Sequence, residues 1–509
     1  MTSPTPTLRI GIDVGGTNTD AVLVDAAGTV LAWAKTPTTP DPAEGIDQAL
    51  ARVVPDDTAS LRSVALGTTH ALNAVLQRRD LQPVAVLRVA APATRSVPPF
   101  AGWPTDLRRP VDAGAAIVRG GVEVDGRVHP IDADEIRLAL RAAAGRAAAV
   151  AVTGTFSLQD PSQELEVAAL ARETLDLPVT TGHEVGGLGL LERENAAILN
   201  AALAGVAGRV TEGFTRALAA RKIVATPFLT QNDGTLMSLD MARALPVRTI
   251  GSGPANSIRG AVALTGTADA LVIDVGGTST DVGAVTAGFP RESAAGVDLG
   301  GVRTNFRMPD VISVAAGGGT VIDADGSIGT RSVGASLERE ALVFGGETAT
   351  LSDAAIAAGR ANFGDGSRLA GRSWPQALTQ AETRIADALD RMKLAAGDVA
   401  VVLVGGGSVI LPERLPGASE VHRPRHADVA NAVGAAIALV SGEADHVADV
   451  STDRQGAIEA CLADARDRAR RAGADPALLE TVWVDEIPLA YMDVPISRIR
   501  AKVAGPPLA

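Results

Sequence analysis

Cysteine is nearly absent from this chain. Cys461 is the only one in 509 residues, so no disulfide can close within it and a reducing compartment is expected. Ile458 and Leu462 lie at helical spacing from it, which reads as a buried structural thiol and not a nucleophile. Aromatic residues amount to 3%, with one tyrosine, so the core must be built from small aliphatic side chains that let helices and sheets approach closely. Positive charge is in deficit at a formal −13, which excludes nucleic acid as a main partner. The one Arg-rich run, Arg466, Arg468, Arg470 and Arg471, reads as a solvated helix face. Every apolar stretch meets Gly or charge within about 20 residues, so no membrane span is expected. Met1 to Leu8 lack the basic and apolar regions of a secretion signal, and the expected location is cytoplasmic. No Gly-Lys pair occurs, which removes a Walker-type phosphate loop, and Gly251-Ser252-Gly253 lacks the third glycine of a dinucleotide fingerprint. His422 and His426 have metal-like spacing, but Pro424 between them spoils a shared helix face, and no zinc constellation is present.

What is present is a duplication. Asp13-Val14-Gly15-Gly16-Thr17-Asn18-Thr19-Asp20 recurs as Asp274-Val275-Gly276-Gly277-Thr278-Ser279-Thr280-Asp281, with seven of the eight residues alike. Each copy sits between two short apolar runs, the pattern of a β-hairpin. Two ordinary hairpins would account for the glycines but not for the Asp before them or the Thr after them. Glycines let backbone approach phosphate oxygens, successive N–H groups form an anion-binding concavity, and an Asp at each first strand end can hold a hydrated Mg²⁺. The repeat predicts two homologous α/β domains facing each other across a cleft, with both turns on one polyphosphate. A third glycine turn, Gly405-Gly406-Gly407, follows the apolar strand Val399 to Val404 and would let backbone lie against a flat base or ribose.

Between these turns the pattern alternates strand and helix: strands from Val64 to Thr69, Val84 to Val89 and Ala149 to Phe156, and helices from Ala71 to Arg79, Asp134 to Arg146, Glu164 to Leu175 and Glu192 to Lys222, the last bending at Gly205 or Gly208. Two small-residue segments, Ser252 to Ala263 and Ala430 to Ala436, could cross closely as a hinge. Gly296 to Gly334 reads as an irregular insertion. The division expected is 1–250, 251–441 with an insertion near 290–350, and a small C-terminal piece over 442–509 holding a helix from Asp453 to Ala472 and a strand from Thr481 to Tyr491.

Together these features resemble the ATPase fold of actin, sugar kinases and Hsp70: an α/β protein of two duplicated ribonuclease H-like domains around a central nucleotide cleft. Within it the chain looks most like the hydantoinase A, 5-oxoprolinase and acetone-carboxylase β-subunit family. That likeness rests on the two hairpins, Gly67-Thr68-Thr69-His70-Ala71-Leu72-Asn73-Ala74, Glu192-Arg193-Glu194-Asn195 and Ser252-Gly253-Pro254-Ala255. The chain departs from it at Gln231-Asn232-Asp233-Gly234 and at Asn256-Ser257. The resemblance implies ATP and Mg²⁺ as cofactors and a cyclic amide (hydantoin, 5-oxoproline or a related lactam) as substrate, phosphorylated on its carbonyl oxygen and then opened. It assigns Asp13 and Asp274 to catalysis and metal, and Gly15, Gly16, Thr17, Asn18, Gly276, Gly277, Thr278 and Ser279 to the phosphates. Gly405, Gly406 and Gly407 would take the nucleoside. A second, hydantoinase B-like subunit is an implied partner. Ketone carboxylation, a reactivating ATPase chaperone and a small-molecule kinase are the alternatives. His70 reads as a structural histidine, and His183 and Glu184 stand between a cleft-facing and a loop role.

Overall fold

A computed structural model describes residues 7–39, 41–123, 126–293, 296–489 and 495–508. Two sheets repeat one construction. In the first, Leu8–Val14 and Asn18–Val24 form an antiparallel hairpin with Asp13 opposite Asp20, Val30–Pro37 adds to its outer side, and Leu61–Thr68 and Thr226–Thr230 continue in parallel on the other. In the second, Ala270–Val275 and Thr280–Thr286 form the hairpin with Asp274 opposite Asp281. Val311–Val314 adds antiparallel to it, and Val399–Val404 and Ala418–His422 continue in parallel. The repeated octapeptide is therefore the turn of a duplicated five-strand unit. Near-continuous Val, Ile and Leu runs make these strands because both sheet faces are covered. Ile10, Ile12, Val22 and Leu66 are buried in one unit, as are Ile273, Val282 and Leu403 in the other.

The helices Ser252–Thr265 and Ala430–Ile437 cross between the two sheets. Their approach has no space for side chains at the contact. A Cβ on Gly434 would overlap the carbonyl oxygen of Asn256 and stand 2.9 Å from the nitrogen of Gly260, while one on Gly260 would overlap the carbonyl of Ala430. Gly11, on the first strand of the chain, meets Ala432 and Ala436 in the same way.

A separate sheet of four parallel strands, in the order Val179–Thr181, Ala149–Gly154, Val84–Ala91, Asp112–Arg119, carries the helices Ala133–Ala143 and Ser162–Leu175. The long helix expected over 192–222 is two helices, Leu190–Ala202 and Ala204–Ala220. The break falls at Leu203 and not at Gly205 or Gly208, because the N–H of Gln82 donates to the Ala202 carbonyl (2.8 Å) and the Gln82 side chain packs against Gly205.

The C-terminal residues are built into the first sheet. Val440–Asp449 pairs in parallel with Leu236–Ser238, Ile496–Gly505 pairs antiparallel with it, and Glu480–Pro488 forms the edge of a nine-stranded sheet, so a boundary at 442 would cut through a strand. Ala490 and Tyr491, where the last strand was expected to end, lie outside the described residues. The strand Ile496–Gly505 brings Lys502, 2% exposed, to Asp233 (2.5 Å) and Glu443 (3.3 Å). Arg307 reaches from the second half to Glu443 (2.9 Å) and stacks with Arg500 against Trp483. The insertion after residue 290 is not wholly irregular. Its hairpin of Val297–Leu299 and Val302–Thr304 crosses to the first half, where Leu299, Val302 and Phe306 join the core.

Candidate functional site

The two glycine turns lie side by side where the halves meet. A Cβ on Gly277 would stand 3.6 Å from Thr17 Oγ1, so residues far apart in sequence approach across the junction. Each turn is held open by its own backbone: the N–H of Gly15 donates to Asn18 (3.0 Å) and that of Gly276 to Ser279 (2.9 Å). Among the described residues the N–H groups of Gly16, Thr17, Gly277 and Thr278 have no acceptor, and a Cβ at Gly16 would meet nothing within 4 Å. Unspent donors on glycine turns suit anionic oxygens.

Asp13 and Asp274 stand at the entry of each turn and share partners from the crossing helices. Asn431 Nδ2 donates to Asp13 Oδ2 (3.4 Å), and Asn256 Nδ2 lies 3.5 Å from Asp13 Oδ1. Ser257 Oγ donates to Asp274 Oδ2 (2.5 Å) and also lies 2.7 Å from Asn431 Oδ1. Burial, with the Asp274 charge adding to it, pushes the Asp13 carboxyl up to about 6 against the hydrogen bonds of Asn431 and Asn256. Burial likewise raises Asp274. The cross-strand partners follow the same rule. Asp20 rises to about 6 through burial although Lys35 grips it at 2.6 Å, and Asp281 rises to about 6 through burial although Ser313 donates to it. Four carboxylates with one lysine form a site short of positive charge. Hard oxygen donors in small number are what a Mg²⁺ that keeps several waters takes, so Asp13 and Asp274 fit that ion.

The third turn lies against the second. Gly405, at φ 85°, has no room for a Cβ because the Asp274 carboxylate occupies that space, and the N–H of Gly407 donates to Val275 (2.8 Å). At Gly406 a Cβ would meet nothing within 4 Å, so open space begins there. Gly317 to Gly319, expected only as part of an insertion, also belong to this centre. Gly318 and Gly319 donate to the carbonyls of Gly276 and Gly277 (3.0 and 2.6 Å), bracing the second turn from behind. Sequence reasoning also passed over Asn256, Ser257, Asn431 and Lys35. The available signal was polarity: Asn256 and Asn431 are amides inside otherwise small-residue helices.

His70 does not join Asp13 directly. Its Nδ1 lies 2.6 Å from Thr68 Oγ1, and burial, with Arg209 nearby, lowers its pKa. The preceding Thr69 does touch the first turn, its N–H donating to Val14 (3.3 Å). His422 pairs with Glu420 (3.2 Å) and His426 packs edge-on to Trp33, so the two histidines have different neighbours. Among the described residues no three His, Cys, Asp or Glu side chains gather as a metal site, and no helix is long and apolar enough to cross a membrane.

The family models for the hydantoinase/oxoprolinase N-terminal region and for hydantoinase/oxoprolinase match residues 9–175 and 193–400. The chain belongs to the hydantoinase/oxoprolinase family and has the duplicated fold of the actin, sugar-kinase and Hsp70 type. Among curated proteins it is 28% identical to the caprolactamase subunit alpha of Pseudomonas jessenii over 71% of this chain and 56% of that one. It is 27% identical to the acetophenone carboxylase gamma subunit of Aromatoleum aromaticum over 69% of this chain and 53% of that one. The chain thus spans about half the length of the curated relatives it matches. In fold it is similar to the ATP-dependent caprolactamase of Pseudomonas jessenii, with a TM-score of 0.76 at 22% identity over 98% of this chain and 88% of that one. A nucleotide-free acetone carboxylase aligns with a TM-score of 0.71 at 19% identity over the same shares.

Proposed function

We propose that this chain is the ATP-dependent subunit of an amidohydrolase that phosphorylates the carbonyl oxygen of a cyclic amide and so prepares the ring for opening. The observation that carries this reading is the meeting of the two glycine turns, with Asp13 and Asp274 tied through Asn431 and Ser257. In this reading Gly15, Gly16, Thr17, Asn18, Gly276, Gly277, Thr278 and Ser279 hold the phosphates through free N–H groups and hydroxyls. Gly405, Gly406 and Gly407 border the nucleoside, and Asp13 and Asp274 hold Mg²⁺ and its waters. The bound metal supplies charge neutralisation on the transferring phosphoryl group. The protein's part is positioning, since phosphoryl transfer asks chiefly for in-line placement and electrostatic stabilisation. A lactam is a poor electrophile, and phosphorylation turns its oxygen into a leaving group. That the relatives are named subunits supports a second, hydantoinase B-like subunit as the partner in ring opening.

A second reading is ATP-dependent ketone carboxylation, favoured by the near-equal identity to an acetophenone carboxylase subunit. Both begin with phosphorylation of a carbonyl oxygen. ATP turnover measured across lactams, hydantoins, and ketones with bicarbonate separates them. Stimulation by a cyclic amide, with release of inorganic phosphate, is the expected result. Asp13→Ala and Asp274→Ala should each lower the stimulated rate by about 100-fold or more, the scale of losing a positioned electrostatic group. Full activity in both variants, or no stimulation by any compound, would overturn the proposal.

A further inference from the structure

The two halves repeat one unit, and the strand added beside each hairpin carries a difference between them. In the first, Val30–Pro37 places Lys35 opposite Asp20. In the second, Val311–Val314 places Ser313 opposite Asp281. Ser313 meets its carboxylate with one neutral donor. Lys35 brings a full charge, its Nζ lying 2.6 Å and 2.8 Å from the two oxygens of Asp20. An ammonium has three N–H groups, and among the described residues Asp20 is the one acceptor they meet, which leaves a donor unspent. The side chain is 30% exposed, so it borders open space and not the core.

Lys35 is part of the glycine-turn site itself. Asp20 lies directly opposite Asp13 across the hairpin, a spacing of about 5 Å between Cα atoms. Just past Lys35, Thr38 closes over the first turn. Its N–H donates to the Thr17 carbonyl (3.0 Å) and its hydroxyl to the Gly15 carbonyl (2.9 Å). Burial raises the pKa of both Asp13 and Asp274, and the Lys35 charge works against that rise at each. The ammonium is therefore within electrostatic reach of the aspartates of both turns. Asp13 and Asp428 add further negative charge around Asp20.

We propose that Lys35 is a catalytic residue whose ammonium, seated on Asp20, gives its third N–H to an oxygen of the γ-phosphoryl group during transfer, and that Asp20 is its positioning residue. This rests on the functional reading above. Gly405 to Gly407, which border the nucleoside in that reading, lean on the second turn. The polyphosphate then runs toward the first turn, and its γ end reaches the half that has the lysine. In the transfer the carbonyl oxygen bonds to the γ-phosphorus, the bond from that phosphorus to the β,γ-bridging oxygen breaks, and ADP leaves with the electron pair. The amide N–H bond gives its proton to water and its pair to a new C=N bond, so Lys35 neither gains nor loses a proton. Its part is a fixed positive charge on the phosphoryl oxygens, and Asp20 holds it in place beforehand, so little reorganisation is needed. The serine at the matching place in the second unit supplies no such charge. The second turn holds, and the first turn transfers.

The test uses the full chain, whichever lactam, hydantoin or ketone most stimulates ATP turnover, and calorimetry with ADP and the β,γ-imido analogue of ATP. Lys35→Met should lower the stimulated kcat by about 100-fold or more, the scale of one lost electrostatic donor. It should weaken binding of the imido analogue by about tenfold or more, the worth of a hydrogen bond to a charged group, and leave ADP within about twofold. If Lys35 only neutralised Asp20, adding Asp20→Asn to Lys35→Met would remove the unpaired carboxylate and restore turnover. The double variant is expected to stay as slow as Lys35→Met. Cys461 is fully buried, and burial pushes its thiol up to about 11, so 2-bromoethylamine should alkylate only the new thiol of Lys35→Cys, rebuild an ammonium there and raise kcat about tenfold. Three results overturn the proposal and leave the functional reading standing: Lys35→Met or the double variant within about threefold of wild type, equal losses of affinity for ADP and the imido analogue, or an alkylated Lys35→Cys protein that is not revived. Wild type that binds neither nucleotide, or that no compound stimulates, overturns both.

Discussion

The helix crossing gives the sharpest test of the architecture, through Gly434→Ala. The new methyl would stand 2.8 Å from the carbonyl carbon of Asn256 and 2.9 Å from the nitrogen of Gly260, and would overlap the Asn256 oxygen. All three are backbone atoms and none can swing aside, so the helices must part. Overpacking of this kind costs up to about 3 kcal/mol, against about 1 kcal/mol that alanine gains over glycine in a helix, a net loss of about 2 kcal/mol. Gly208→Ala is the matched control. It lies inside the helix Ala204–Ala220, and a Cβ there would meet nothing within 4 Å, so it should gain up to about 1 kcal/mol. Urea unfolding followed by far-ultraviolet circular dichroism reads both, with opposite shifts of midpoint expected. Because Asn256 and Asn431 ride on the parted helices, Gly434→Ala should also weaken ATP binding measured by calorimetry. A Gly434→Ala protein as stable as Gly208→Ala would refute the claim that backbone contact fixes this crossing.

Asn431→Ala removes the donor to Asp13 and the contact with Ser257, and should weaken ATP binding by about 5–30-fold, the scale of one or two lost buried hydrogen bonds, in the same calorimetric assay. Against burial, Lys502 and the hydroxyl and N–H of Thr235 together hold the Asp233 carboxyl down at about 2 from 3.8, so ionised Asp233 with these partners contributes about 2 kcal/mol that is full above pH 4 and lost as pH falls from about 4 through 2. Urea midpoints taken from pH 5 to pH 2 should show that component in wild type and not in Asp233→Asn. Cys461 is fully buried, and burial pushes its thiol up to about 11, so Ellman's reagent should find no reactive thiol in the folded chain and one after denaturation.

The duplication was legible because its chemistry is local. Strand, glycine pair and strand fix a hairpin by turn geometry alone, and the Asp and Thr that make it useful lie within eight residues. The strand from Val399 to Val404 and the helices near 71, 134 and 164 were equally readable, each carrying its own apolar period. What could not be read was set by partners distant in sequence. The break at Leu203 depends on Gln82, the joining of Val440–Asp449 to the first sheet depends on Leu236, and the place of Gly317 to Gly319 depends on the carbonyls of Gly276 and Gly277.

The crossing helices show how far composition reaches. Their Gly and Ala content was read as a close crossing that could serve as a hinge, and the contacts of Gly260 and Gly434 are that close. The same closeness is what carries Asn256, Ser257 and Asn431 to the carboxylates, since a bulkier contact would hold the amides away from Asp13 and Asp274. Glycine at the contact and asparagine beside it are therefore one device. An amide is suited to it because it bonds a carboxylate without adding charge. A lysine in place of Asn431 would bring to Asp13 a cation of its own, which in the proposed reading would compete with Mg²⁺ for the same oxygens. Under the proposed function, a neutral donor at that position would keep the aspartates oriented and leave their charge for a bound metal.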